Sequence, residues 1–152
     1  MNISLKLKND NDKLMPYRKN DTDAGFDLRA DIEEPVNVTK DGYVKISTGV
    51  IVNFPDNVYA EIHPRSGTGS KGLNLMNQTG IIDPGYRGEI QLKLYLNNAS
   101  PFEQMTIEPY ERIVQMVFKE VLPVELDVVS WEENFAETSR MDSGFGNSGR
   151  FW

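Results

Sequence analysis

The chain has no cysteine and a single histidine among its 152 residues. That excludes a disulfide framework and leaves a zinc centre only carboxylates and one imidazole, a poor donor set. No apolar run approaches the roughly 18 residues that a membrane-spanning helix needs, so no membrane partner is expected. The N-terminal MNISLKLKND lacks the apolar core of a secretory signal, and together with the absent cysteine this points to a cytoplasmic protein. Cations are the minority: 16 Lys and Arg face 23 Asp and Glu, for a net charge of -7. A nucleic-acid-binding surface has the opposite balance. Any anionic ligand must therefore be met by a local cluster of cations and backbone amides.

Hydrophobic residues at 39% and charged residues at 26% are ordinary for a globular chain, and the length suits one domain with a real core. Long helical periodicity is missing, and short alternating segments recur between turn residues instead. Ile3, Leu5 and Leu7 alternate with polar neighbours. Val36 to Val38 and Tyr43 to Ile46 flank an Asp41-Gly42 turn, and TGVIVNF from Thr48 to Phe54 stops at Pro55. Tyr59, Glu61 and His63 alternate with Ala60 and Ile62, while Ile90, Leu92, Leu94 and Leu96 mark one face of a later strand. Further strands are predicted at Met105 to Ile107, Ile113 to Phe118 and Val124 to Val128, separated by prolines. Many short strands at close spacing imply an all-β domain: a sandwich, a jelly roll or a small barrel. The last stretch, AETSRMDSGFGNSGRFW, is rich in Gly and Ser with few apolar anchors. It reads as a flexible C-terminal arm over 136–152, after a barrel domain over 1–135.

GIIDPGYRG, from Gly80 to Gly88, is the centre of the functional reading. Pro84 presets φ and Gly85 permits φ > 0, so Asp83-Pro84-Gly85-Tyr86 is expected to be a tight turn, with the alternating run after it as the return strand of a β-hairpin. Its tip presents a carboxylate beside an aromatic ring, although taken alone Asp83 need only start the turn. Other short stretches set glycine beside charged or hydroxylic residues, or polar groups into an apolar strand: DAGFDLRA from Asp23, PRSGTGSKGL from Pro64, ERIVQMV from Glu111 and GFGNSG from Gly144. In the second, Gly67, Gly69 and Gly72 free backbone N–H groups to turn inward, while Arg65, Lys71 and Ser66 supply cations and a hydroxyl. That is a phosphate cradle in outline, without the spacing of a Walker A loop and without an evident following helix. Arg140, Phe145 and Arg150 in the arm are what a segment closing over a planar anion would need.

Together and in this order, the stretches resemble the five motifs of the trimeric deoxyuridine triphosphatase (dUTPase) family, from Asp23 to Gly149. The resemblance implies a jelly-roll-like distorted β-barrel, a homotrimer whose active sites are shared between subunits, and hydrolysis of dUTP to dUMP and pyrophosphate. By the same resemblance, Asp83 is the general base that activates a water for in-line attack on the α-phosphorus. Tyr86 packs under the deoxyribose and leaves no room for a 2′-hydroxyl, while Asn77 and the main chain at Gly80 pair with uracil. Arg65, Ser66 and Gly67 match the phosphate-binding motif, and Gln115 matches a phosphate-contacting glutamine. Asp27 matches the acid that holds Mg²⁺ through water while the triphosphate oxygens bind it directly. Arg140 matches the arginine that reaches the γ-phosphate, Phe145 the ring that stacks over uracil, and Ser148 and Gly149 add phosphate contacts.

The arm departs from the family pattern, with Met141, Asp142 and Ser143 where glycine is usual and Asn147 where serine, threonine or histidine is commoner. Two other readings use different features. A dCTP deaminase shares the fold and the Asp-Pro-Gly-aromatic turn but needs a glutamate at the place of Lys93, and a regulatory module would keep the pocket only as a switch. Outside the resemblance, Asp27 is expected to cap a turn or pair with Arg29, Glu111 and Arg112 to form an ion pair within one chain or between chains, His63 to be structural, and Glu132, Glu133 and Glu137 to form a solvated acidic face.

Overall fold

The computed structural model describes residues 2–133 and 135–138. The chain divides into two units, Met1–Leu122 and Pro123–Trp152, and all regular structure among the described residues lies in the first. In chain order it comprises β1 (Ser4–Leu7), β2 (Gly25–Arg29), β3 (Val36–Thr39), β4 (Val44–Ser47), β5 (Val50–Asn53), β6 (Val58–Pro64), the one-turn helix α1 (Ser66–Gly69), β7 (Leu73–Leu75), β8 (Gly80–Ile82), β9 (Gln91–Leu96), β10 (Gln104–Ile107) and β11 (Arg112–Glu120). No helix among the described residues is long and apolar enough to cross a membrane.

The fold is all-β, as expected. Its ladders form four sheets rather than one closed cylinder: β1 with β5, β3 with β10, β2-β11-β6-β8, and β4-β9-β7. Alternation decides which face each strand buries. On β6, Val58, Ala60 and Ile62 are buried and Tyr59, Glu61 and His63 are not; on β9, Leu92, Leu94 and Leu96 are buried and Gln91 and Lys93 are exposed. These inward sets join Leu28, Val38, Ile46, Val50, Leu73, Leu75, Ile107 and Met116 in one core. Phe118 adds edge-on ring contacts to Phe26 and Phe54 at 5.7 and 6.0 Å.

Three expectations are corrected. The run from Gly80 to Leu96 is not a paired hairpin, because β8 pairs with β6 while β9 pairs with β4 and β7; the turn between them joins two sheets. Likewise β3 pairs with β10 rather than with β4 across Asp41-Gly42. Finally, Val124 to Val128 forms no strand. Its alternating Val124, Leu126 and Val128 are exposed, and period-2 patterning makes a strand only where a ladder partner is available.

Truncating a central core side chain should cost a few kcal/mol through lost burial and the cavity left behind. Leu94→Ala is expected to lower the unfolding free energy by about 2–5 kcal/mol, seen as a lower urea midpoint at unchanged m-value.

Candidate active site

The turn after β8 is closed by the Tyr86 N–H donating to Asp83 O at 3.0 Å. Gly85 does not use the left-handed region, which among glycines of the described chain is entered by Gly42, Gly49 and Gly72; the turn forms without the positive φ that the sequence suggested. Tyr86 folds back and its hydroxyl donates to Glu89 O at 2.9 Å. Glycine at position 88 is required for this, because a Cβ there would lie 2.6 Å from the Tyr86 Cζ. On the other side, the Asn77-to-Gly80 connection is tight, with Gln78 at φ 60° and the Thr79 N–H donating to Asn77 O at 2.6 Å. Gly80 packs against Ile62, where a Cβ would come within 3.3 Å of the Ile62 Cβ.

The result is a cavity of about 530 Å³ lined by Asn77, Gly80, Ile82, Asp83 and Tyr86, together with Met76, Lys45, Gln91 and Lys93. The four residues expected at the base, the sugar and the attacking water are thus brought together. Asp83, Asn77 and Tyr86 are all exposed in the single chain, Tyr86 at 44%. Lys93 lines this wall, so no carboxylate stands at the position that a deaminase requires.

A second cluster forms where β2, β11 and β6 meet. Register sets Asp27 opposite Gln115, and Gln115 opposite His63, in one row across three strands. Asp27 does not pair with Arg29, whose guanidinium donates to Tyr110 O at 3.1 Å instead. It accepts from Arg65 Nε at 2.8 Å and from Arg112 Nη1 at 3.2 Å, while Arg65 Nη1 donates to Arg112 O at 2.9 Å. Arg112 is therefore a member of this cluster and, within the chain, does not pair with Glu111, which accepts from the Glu108 N–H. Gln115 donates to Pro64 O at 3.1 Å, and Gly25 makes room for it: a Cβ there would stand 2.6 Å from Gln115 Oε1.

After Arg65 the chain turns through α1, with Gly69 N–H donating to Arg65 O at 2.7 Å and Gly72 N–H to Gly69 O at 2.9 Å. Those two amides are committed inside the turn, which corrects the wider cradle expected from the sequence. The amides of Ser66 and Gly67, at the first two helical positions, are the ones a helix leaves without internal partners. Among the described residues no group of three or more His, Asp or Glu is placed to hold a metal directly. Arg140, Phe145, Ser148 and Gly149 lie outside the described residues.

The outward residues of β6 continue this face as a polar ladder. Tyr59 donates to Glu61 Oε1 at 3.0 Å and His63 Nε2 lies 3.0 Å from Glu61 Oε2. Those bonds, His63 first and then Tyr59, hold the Glu61 carboxyl below its ordinary 4.5. The same carboxylate raises the Tyr59 phenol above 10.0, chiefly by accepting its hydrogen bond.

Comparison with known proteins places the chain in a family. The dUTPase family model matches residues 11–149. The chain belongs to the dUTPase family. Its relatives in that family include the deoxyuridine 5'-triphosphate nucleotidohydrolases of Alcanivorax borkumensis, 39% identical over 90% of this chain and 88% of that protein, and of Mycobacterium leprae, 41% identical over 89% and 87%. Among solved structures, the Staphylococcus bacteriophage 80alpha dUTPase with dUPNHPP superposes with a TM-score of 0.80 at 29% identity, covering 97% of this chain and 98% of that one. A variant of the dUTPase from phage phi11 of S. aureus, described with a structural Mg(II) ion, gives 0.71 at 25% identity over 88% and 98%. Two members of these clusters are not legible in the sequence: Arg112, which donates to Asp27, and Lys45, whose contact with the cavity follows only from strand pairing.

Glu61 supports the folded state above about pH 4.5, and that contribution is lost as pH falls through its lowered folded value; Tyr59 supports it below about pH 10 and the support fades as pH rises. Glu61→Gln should therefore flatten both limbs of a melting-temperature profile relative to wild type. Parallel profiles for the two proteins would remove the ladder from the pH dependence.

Proposed function

We propose that the chain is a dUTP diphosphatase acting as a homotrimer, in which the Asp83 pocket of one chain is completed by the Arg65 cluster of another. The observation that carries this is the direction of β6. Ile62 is opposite Gly80 and Ala60 is opposite Ile82, so the register brings Asp83 level with Tyr59 near the start of β6, while Arg65 follows its other end. At about 3.3 Å per residue those positions are about 20 Å apart along the strand. A nucleotide with its base at Asn77 and Gly80 and its α-phosphorus at Asp83 extends its phosphates away from its own Arg65. Phosphate contacts must then come from a second chain, which fits the exposure of Asp83 and Tyr86 here. Exposed Val124, Leu126 and Val128 add the pattern of a segment that finds its partner in another subunit.

In the reaction, Asp83 takes a proton from a water that attacks the α-phosphorus, the bond from that phosphorus to the bridging oxygen breaks, and pyrophosphate leaves. Tyr86 supports the deoxyribose and leaves no space for a 2′-hydroxyl. Arg65, the amides of Ser66 and Gly67, and Gln115 orient the phosphates. Asp27 keeps unused lone pairs beyond its two arginine bonds, so one carboxylate touching a hydrated Mg²⁺ through water suits a cation that retains waters and binds substrate phosphates. When bound, Mg²⁺ supplies charge neutralisation of the triphosphate. Arg140 would reach the γ-phosphate, Phe145 would cover the base, and Ser148 and Gly149 would add phosphate contacts, shutting out bulk water.

Asp83→Asn should lower turnover at least about a hundredfold while dUTP still binds. Arg65→Ala should also be nearly inactive. Refolding equal amounts of the two variants together should restore roughly a quarter of wild-type activity, because about three quarters of the trimers are mixed and each mixed trimer contains one site of its three with both native residues. No recovery on mixing, with trimers intact in sedimentation, would place both residues in the same chain's site.

A further inference from the structure

We propose that Lys45 and Lys93 form a selective end wall of the Asp83 pocket, which accepts a pyrimidine bearing a carbonyl at C4 and rejects one bearing an amino group there. The inference rests on the dUTP reading above and deepens it.

Both lysines line the cavity, and they stand directly opposite each other on the β4–β9 ladder. Like charges opposed across a ladder are destabilising. Neither is relieved by a carboxylate, since among the described residues no ion pair involves Lys45 or Lys93. Tyr43 holds the Lys93 ammonium over its ring, 5.2 Å from the centroid. The next outward pair, Ser47 and Gln91, carries no charge. In a chain of net charge -7, two ammonium groups thus share a short piece of pocket wall without a local counter-ion.

Their place in the pocket gives them a target. The Met76 N–H donates to Lys93 O at 3.0 Å, which sets Lys93 beside the segment that continues into Asn77. Asn77 Nδ2 in turn lies 3.5 Å from where a Cβ on Gly80 would begin. Asp83 and Tyr86 line the same cavity, with the Tyr86 hydroxyl tied to Glu89. From Glu89 to Lys93 the chain spans up to about 13 Å at about 3.3 Å per residue.

With the sugar on Tyr86, the ring atom farthest from it is C4, directly across the six-membered ring from N1. Uracil carries there an oxygen that accepts hydrogen bonds; cytosine carries an amine that donates them. An ammonium has three donors and no acceptor. It completes the carbonyl and leaves the amine facing like polarity, the asymmetry from which strong discrimination arises. The end wall would thus add a side-chain check to the pairing made by Asn77 and the Gly80 main chain.

The test compares wild type, Lys45→Met, Lys93→Met, the double variant and Lys93→Arg as full chains with Mg²⁺, using kcat/KM on dUTP and dCTP and inhibition constants for dUMP and dCMP. In the double variant the dUTP-to-dCTP ratio of kcat/KM is expected to fall at least about tenfold, through weaker dUTP binding with no loss on dCTP, and the dUMP-to-dCMP preference should fall with it. Lys93→Arg should retain most of the discrimination. Melting temperatures of the methionine variants should match or exceed wild type, because the opposed charges are gone. Equal losses on both nucleotides, or an unchanged ratio, would overturn the proposal. A wild-type protein that releases no pyrophosphate from dUTP would instead overturn the reading on which it rests, so the two failures are distinguishable.

Discussion

β11 is hydrogen-bonded along both edges, and the Asp27 cluster takes its order from those two registers. Pairing with β2 puts Asp27 beside Gln115; pairing with β6 puts Gln115 beside His63 and delivers the chain to Arg65 just past the strand end. One carboxylate then serves both guanidiniums. The Asp27 side chain is only 17% exposed and sits between Arg65 and Arg112, so two cations are held close together by the one anion that offsets their repulsion. Both arginines are fixed in the free chain by these bonds, the geometry that a preorganised cationic site requires.

The second half of the site is built differently. Among the described residues no ion pair holds Asp83; its position follows from a turn closed by one backbone hydrogen bond and from Gly88, which lets the Tyr86 ring fold over the chain. The two clusters sit at opposite ends of β6. One offers a shaped cavity with an exposed carboxylate, the other offers paired charge.

Sequence patterning revealed the strands whose two faces meet different surroundings, such as β1, β6 and β9. It was silent on β2, whose GFDLR has no clean alternation because Asp27 and Arg29 are themselves partly buried, and on β7, too short at three residues to show a period. The opposite error came at Val124 to Val128, where alternation was present but no ladder was. Local turn chemistry located Asp83 and Tyr86 well. Which strands would be neighbours was not readable, and so neither the Arg112–Asp27 pair nor the opposition of Lys45 and Lys93 could be foreseen. Both are contacts between residues far apart in the chain.

Because the Asp83 turn spans two sheets instead of capping a hairpin within one, its two ends are fixed to separate layers. The pocket therefore acts as a gauge of the spacing between those layers. A hairpin tip could be exchanged as a cassette with little notice from the core, but here any repacking that slides one layer over the other is transmitted to the floor of the pocket. Core and substrate fit are bound to evolve together.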